Sequence, residues 1–176
     1  MTRWYQAAKD LDRTPQQERI RDVYIAAPFF KPEHIVQVER IENALRECGF
    51  SFFSPRFDCR YRPGDPDIVA DRAFFLNKLH IDTCKFMIAD LTYKDMGTSW
   101  ELGYADKAGT VRLGVTSNMM AGLNLMVVNT VNALIPFRSL ESCIRVLATD
   151  IIERGRGSLI SVEGIDMSKT WEGEIE

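Results

Sequence analysis

Apolar positions along this chain fall into short runs that alternate with stretches of helical spacing. VYIAA, Val23 to Ala27, is wholly apolar and partly β-branched, the pattern of a strand buried on both faces. Pro32 opens the next segment, where Ile35, Val38, Ile41 and Leu45 recur at helical spacing until Gly49 offers a C-terminal cap, predicting a helix of about four turns. FSFF, Phe50 to Phe53, predicts a second strand ended by Ser54-Pro55, and FDCRYRPGDPD reads as a Gly/Pro-punctuated loop. A second helical pattern covers Ile68 to Ile81, a third strand Lys85 to Leu91, a third helix Trp100 to Ala108 with Gly109 at its end, and a fourth strand Val111 to Thr116. SLESCIRVLATDII, from Ser139, closes the series as an amphipathic helix with Glu141 in its first turn.

Strands alternating with helices predict a single α/β domain, a three-layer fold on a mostly parallel sheet with right-handed crossovers. The predicted boundaries are a polar N-terminal extension over 1–22, the domain over 23–156 and a C-terminal tail over 157–176. In such sheets ligands bind at the carboxyl ends of the strands. Those ends carry APFF, SPRFD, ADLTYKD and VTSNMM, so one cleft is expected to gather Phe29, Phe30, Arg56, Asp58, Asp90, Asp95 and Glu101.

Composition narrows the partners. At 176 residues with 45% hydrophobic and 27% charged positions, the chain suits one full core. A net charge of −3 gives no electrostatic footprint for a nucleic-acid polymer or an anionic membrane surface, while a single nucleoside stays compatible. No segment reaches the ~18 apolar residues of a membrane span, and the N-terminal stretch is too polar for a signal peptide. Cys48, Cys59, Cys84 and Cys143 are scattered without metal spacing and read as reduced thiols, which predicts a cytoplasmic protein. His34 and His80 fall on helices without ligand partners, so no metal or cofactor is expected.

The chemistry concentrates in LTYKDMGTSWELGYADKAG, Leu91 to Gly109. Glu101 is expected in the first turn of its helix, where the macrodipole favours the ionised form and keeps a carboxylate available as a nucleophile. Asp95 precedes the flexible Gly97, and two close carboxylates cannot ionise independently, so Asp95 is expected to be able to carry a proton. Such a pair suits glycosidic chemistry at a sugar C1′. Each residue alone also fits a plain role, Glu101 as a dipole-stabilising surface group and Asp95 as a turn former. Phe29, Phe30 and Trp100 offer stacking faces that would keep water from an intermediate, or are simply core.

VYIAAPFF, FMIADL, DMGTSWELGYA and GLNLM together resemble the nucleoside 2-deoxyribosyltransferases, in the same order and with similar spacing, from about Val23 to Met126. The resemblance implies a flavodoxin-like fold and transfer of 2′-deoxyribose between nucleobases through a covalent deoxyribosyl-glutamate. It implies Glu101 as nucleophile, Asp95 orienting the sugar and the nucleophile, and Tyr24 positioning the nucleophile through its hydroxyl. It further implies a homo-oligomer, dimer-based with a hexamer as one form, whose sites are shared. Asn124 of the GLNLM segment, with Met126 beside it, would contact the sugar 5′-hydroxyl in a neighbouring site. Partners would be deoxyribonucleosides and free nucleobases.

Two departures stand out. The family's base-recognising aspartate in the second helix falls on Asn77, and an amide cannot be a proton donor to the leaving base; Asp71 and Asp82 are the alternatives. The tail SKTWEGEIE matches nothing, which leaves a role for Glu176 open. Two other functions remain on the same residues: an N-glycosidase hydrolysing nucleoside 5′-monophosphates, and a non-catalytic nucleotide-binding module. The uncharged run Gly122 to Ile135 is expected to be buried, in the core or against another subunit.

Overall fold

The computed structural model describes residues 20–118 and 122–154. Its five strands are β1 (Val23–Ala26), β2 (Phe52–Phe53), β3 (Phe86–Asp90), β4 (Val111–Thr116) and β5 (Ala133–Pro136). They pair in parallel in the order β2-β1-β3-β4-β5, the flavodoxin-like arrangement. The helices are α1 (Pro32–Glu47), a one-turn α2 (Pro55–Asp58), α3 (Asp67–Thr83), α4 (Met96–Ala108), a short α5 (Leu125–Thr130) and α6 (Leu140–Arg154). The expected N-terminal extension lies outside the described residues apart from its last three positions, and the C-terminal tail, Glu176 included, lies outside them entirely.

Strand parity builds two cores. Val23, Ile25, Phe86, Ile88, Leu113, Val115 and Ile135 point to one face and pack under α1 and α6 through Val38, Ile41, Leu45, Leu140 and Ile144. Tyr24, Ala26, Met87, Ala89 and Leu134 point to the other and pack under α3 and α4 through Leu76, Ile81, Leu102 and Ala105. Each aliphatic side chain taken fully from water contributes about 1.5–3 kcal/mol, and both faces are covered, which is why these strands read as unbroken apolar runs. Across the first face Arg40 pairs with Glu141 at 2.5 Å and ties α1 to α6. Gly109 ends α4 at φ 76, in the left-handed region that a residue with a Cβ adopts at a cost.

Two expectations need correction and one is narrowed. The fifth strand was hidden inside the uncharged run, where a short helix and a strand share one apolar stretch without a Gly or Pro between them. The core accounts for only part of that run: Leu123 and Ala133–Ile135 are buried in it, whereas Leu125 and Met126 are exposed on the single chain, which leaves only the subunit alternative for them. Asn124, Asn129 and Asn132 are exposed too: the first two bond to backbone groups of their own helix, and Asn132 accepts the Arg112 amide of β4. Finally, α4 begins at Met96 rather than Trp100, which moves Glu101 from the first turn into the second.

The strand order reverses between β1 and β3, so their carboxyl ends diverge and leave a crevice there. The segments that follow β1, β2 and β3 all reach it.

Candidate active site

Tyr24 occupies the second position of β1, on the face that packs under α4, and is fully buried. Its hydroxyl donates to Glu101 Oε1 at 2.7 Å. Burial, then the Glu101 charge, pushes the phenol well above its ordinary range, so it remains a donor at every physiological pH. Glu101, which lines the cleft, is thus held by a buried strand residue that has no freedom to turn away.

The approach to α4 sets the second carboxylate. Lys94 sits in the left-handed region at φ 50 and bends the chain so that Asp95 becomes the N-cap. Asp95 Oδ2 accepts the Thr98 amide at 2.8 Å and the Thr98 hydroxyl at 3.2 Å. Both bonds fall on Oδ2, and no described residue bonds to Oδ1. A Cβ at Gly97 would stand 3.0 Å from Asp95 Oδ2, so the absence of a side chain there lets the carboxylate fold back over the helix start.

The electrostatics differ from the sequence expectation. Glu101, one turn further along, is governed by burial rather than by the macrodipole, which acts mainly within the first turn. Burial raises its carboxyl to about 7; the Tyr24 hydroxyl opposes that rise and the Asp95 charge adds to it. Glu101 is therefore a carboxyl with a proton to hold near neutrality. Such a group switches readily between acid and nucleophile.

Around this pair lies a cleft of about 280 Å³, just under the roughly 300–1,000 Å³ range of small-molecule sites. Ala70, Ala73, Phe74 and Asn77 of α3 line one wall at helical spacing, the three apolar positions making room and a stacking face beside a single amide. Phe29 and Phe30, centroids 4.8 Å apart, form the rim after β1, with Phe30 largely exposed. Pro55, Cys59 and Tyr61 close the side beyond β2. Cys59 donates to Asn77 Oδ1 at 3.0 Å, and its thiol is pushed up to about 12 by burial and then by the charges of Glu101 and Asp58.

Of the sequence-predicted residues, the structure brings Tyr24, Phe29, Phe30, Asn77, Asp95, Gly97 and Glu101 to this cleft. It does not bring Arg56, Asp58, Asp90, Trp100, Asn124 or Met126 to it. Arg56 turns to α1, where it pairs with Glu42 at 2.7 Å and Glu39 at 3.2 Å and lies over the Phe57 ring. Asp58 accepts the Ser54 amide, and Asp90 is fully buried with Oδ1 on the Thr92 amide. Trp100, 47% exposed, does not line the cleft: one residue along a helix rotates a side chain by about 100°, and its ring stacks on Tyr104 and packs against Phe74, which does line it. Asn124 caps α5 by accepting the Met126 amide, and lines a separate hollow with Leu91, Lys94 and Asp95. Met126 is 72% exposed. Asp71 and Asp82, the alternatives to Asn77, do not line the cleft, and Asp82 accepts from Tyr104.

Sequence reasoning missed Cys59, Tyr61, Phe74 and Thr98. Phe74 was accessible as the residue three before Asn77 on the same helix face; Cys59 carried no local signal. Among the described residues no cluster of His, Cys, Asp and Glu is arranged to hold a metal ion.

The sequence model of one family, described as nucleoside 2-deoxyribosyltransferase, matches residues 23–135. Among solved structures the chain is similar to a 2-deoxyribosyltransferase from Bacillus psychrosaccharolyticus, at 27% identity and TM-score 0.60, over 68% of this chain and 89% of that one. It shares its fold with a conserved protein from Enterococcus faecalis V583, at 16% identity and TM-score 0.58, over 78% and 100% of the two chains. It does so also with a CMP N-glycosidase from Clostridium botulinum, at 19% identity and TM-score 0.52, over 72% and 97%. No curated protein matches the chain in sequence.

Proposed function

Because the chain belongs to the nucleoside 2-deoxyribosyltransferase family, we propose that it moves 2′-deoxyribose from one nucleobase to another through an ester on Glu101. The single observation that carries the reading is the Tyr24–Glu101 bond of 2.7 Å on the floor of a cleft that also holds Asp95. In its ionised form Glu101 attacks C1′ as the glycosidic bond lengthens. The developing oxocarbenium charge is stabilised by the Asp95 carboxylate, and a sugar without a 2′-hydroxyl reaches that state more easily. The apolar rim of Phe29, Phe30 and Phe74 holds the base and keeps water off the ester until a second base arrives.

Hydrolysis of nucleoside 5′-monophosphates uses the same nucleophile but requires a phosphate site. The described residues lining the cleft include no Lys or Arg, which favours an uncharged 5′ end. Incubation with a 2′-deoxynucleoside, with and without a second free base, separates the two: a new nucleoside means transfer, and free sugar or sugar phosphate alone means hydrolysis.

Assembly belongs to the same proposal. Met96 at 85%, Met126 at 72% and Leu125 at 48% exposure leave apolar surface on α4 and α5, the latter beginning just after Asn124. A homo-oligomer that covers this surface would set Asn124 against a neighbour's sugar, as the family resemblance implies. Mixing Glu101→Ala with Asn124→Ala subunits should then regenerate active sites, while a fully active monomer in light scattering would refute sharing. No described helix is long and apolar enough to cross a membrane, and the four free thiols support a cytoplasmic location.

A further inference from the structure

The apolar stripe that α3 turns to the cleft carries one polar group, the Asn77 carboxamide. Its two ends are not equivalent. Cys59 has a single thiol hydrogen and two oxygens within reach, Asn77 Oδ1 at 3.0 Å and the Pro55 carbonyl at 3.7 Å; the shorter contact takes it. With Oδ1 engaged, Nδ2 and its two hydrogens have no partner among the described residues and remain for whatever fills the cleft. Burial keeps the thiol protonated, so its hydrogen stays with the Asn77 oxygen, a far better acceptor than the sulfur is for an amide N–H. The cleft thus presents a donor on the wall across from the carboxylates, and an amide donor has no proton to give up.

Resting on the reading of Glu101 as nucleophile, we propose that Asn77, oriented by Cys59, is the base-selecting residue. It favours nucleobases that depart as anions with charge on a carbonyl oxygen beside the glycosidic nitrogen. The C1′–N bond breaks as the Glu101 oxygen bonds to C1′. The electron pair goes to the base nitrogen and spreads onto the neighbouring carbonyl oxygen, where the Asn77 N–H donates. One negative charge passes from Glu101 to the base, which takes its proton from water after release. Oxo pyrimidines of the uracil and thymine type suit this departure, whereas adenine leaves well only when protonated.

Leaving-base acidity is the test. Measured on full-length protein with 2′-deoxyuridines substituted at C5, kcat/KM should fall about fivefold to tenfold for each unit by which the base becomes less acidic, since no side chain shares the proton. Asn77→Asp restores an acid at the same place, so the dependence should flatten and deoxyadenosine should gain at least tenfold relative to deoxyuridine. Cys59→Ala should let the amide rotate and narrow the oxo-over-amino preference, with Cys59→Ser recovering part of it. A flat dependence in the wild type, with deoxyadenosine cleaved as well as deoxyuridine, overturns the assignment of Asn77 while leaving Glu101 untouched. Cleavage of no deoxynucleoside at all overturns both readings together.

Discussion

Replacing Tyr24 with Phe removes one oxygen from a fully buried ring and breaks its bond to Glu101 while keeping the shape of the core. A hydrogen bond to a charged group is worth about 1.5–3 kcal/mol, and one pKa unit corresponds to about 1.4 kcal/mol, so the loss is about 1–2 units. The direction follows from the donor: the phenol stabilises the ionised carboxyl, and without it the proton is held more tightly. Only ionised Glu101 attacks C1′. In the wild type kcat/KM for a deoxynucleoside should therefore rise with pH through a limb near the Glu101 value of about 7. In Tyr24→Phe that limb should move up by about 1–2 pH units. Well below the limb the variant should be about 10–100 times slower than the wild type, and the gap should narrow above it. Profiles measured between pH 5 and about 10, with folding checked by circular dichroism, decide the matter. A uniform loss at every pH with the limb unmoved would mean that Tyr24 only positions the carboxylate, and a limb that moves down would refute the electrostatic reasoning.

The same carboxyl makes a stability prediction. Its folded value of about 7 lies above the ordinary 4.5, so the folded state binds the proton more tightly than the unfolded state and stability should decline as pH rises between those values. Glu101→Gln should abolish that decline and stabilise the fold at pH 8 in urea unfolding, by up to about 3 kcal/mol and less to the extent that water in the cleft screens the charge. Asp95→Asn keeps a good N-cap and should leave the unfolding free energy within about 1 kcal/mol of wild type while cutting turnover strongly; unchanged turnover would return Asp95 to a plain helix cap. Gly97→Ala should also lower turnover without unfolding α4, because its Cβ displaces the Asp95 carboxylate, and full activity would show that this carboxylate tolerates displacement. Arg56→Ala strands Glu42, which is 2% exposed, and should cost about 3–5 kcal/mol in urea unfolding, most of it recovered by pairing Arg56→Met with Glu42→Leu.

What the sequence discloses tracks how local its cause is. β1, β3 and α1 are legible because burial on both faces, or on one stripe, prints directly into residue type. The place of the cleft follows from strand order by a general rule. The start of α4 was misread because Gly97-Thr98-Ser99 looks like a turn, although Asp95 three residues before Thr98 is an N-cap signal. That error propagated to the ionisation of Glu101, whose proton depends on burial by distant elements rather than on its helix position. Arg56 illustrates the converse limit: its strand-end position was correctly located, but the buried Glu42 one helix earlier, which decides where the guanidinium turns, leaves no mark at that spacing. Cys59 and Asn77 meet only because the loop after β2 folds against α3, a contact that no periodicity encodes.

The central claim is that Glu101 becomes covalently bonded to the sugar. A 2′-deoxynucleoside carrying fluorine at C2′ destabilises the oxocarbenium state and slows turnover of the ester, so the intermediate should accumulate. Intact mass measurement should show one fluorodeoxyribosyl group added per chain, peptide mapping should place it on Glu101, and addition of a free nucleobase should release it as a new nucleoside. Consumption of the analogue with no adduct, or an adduct on any residue other than Glu101, would contradict the account.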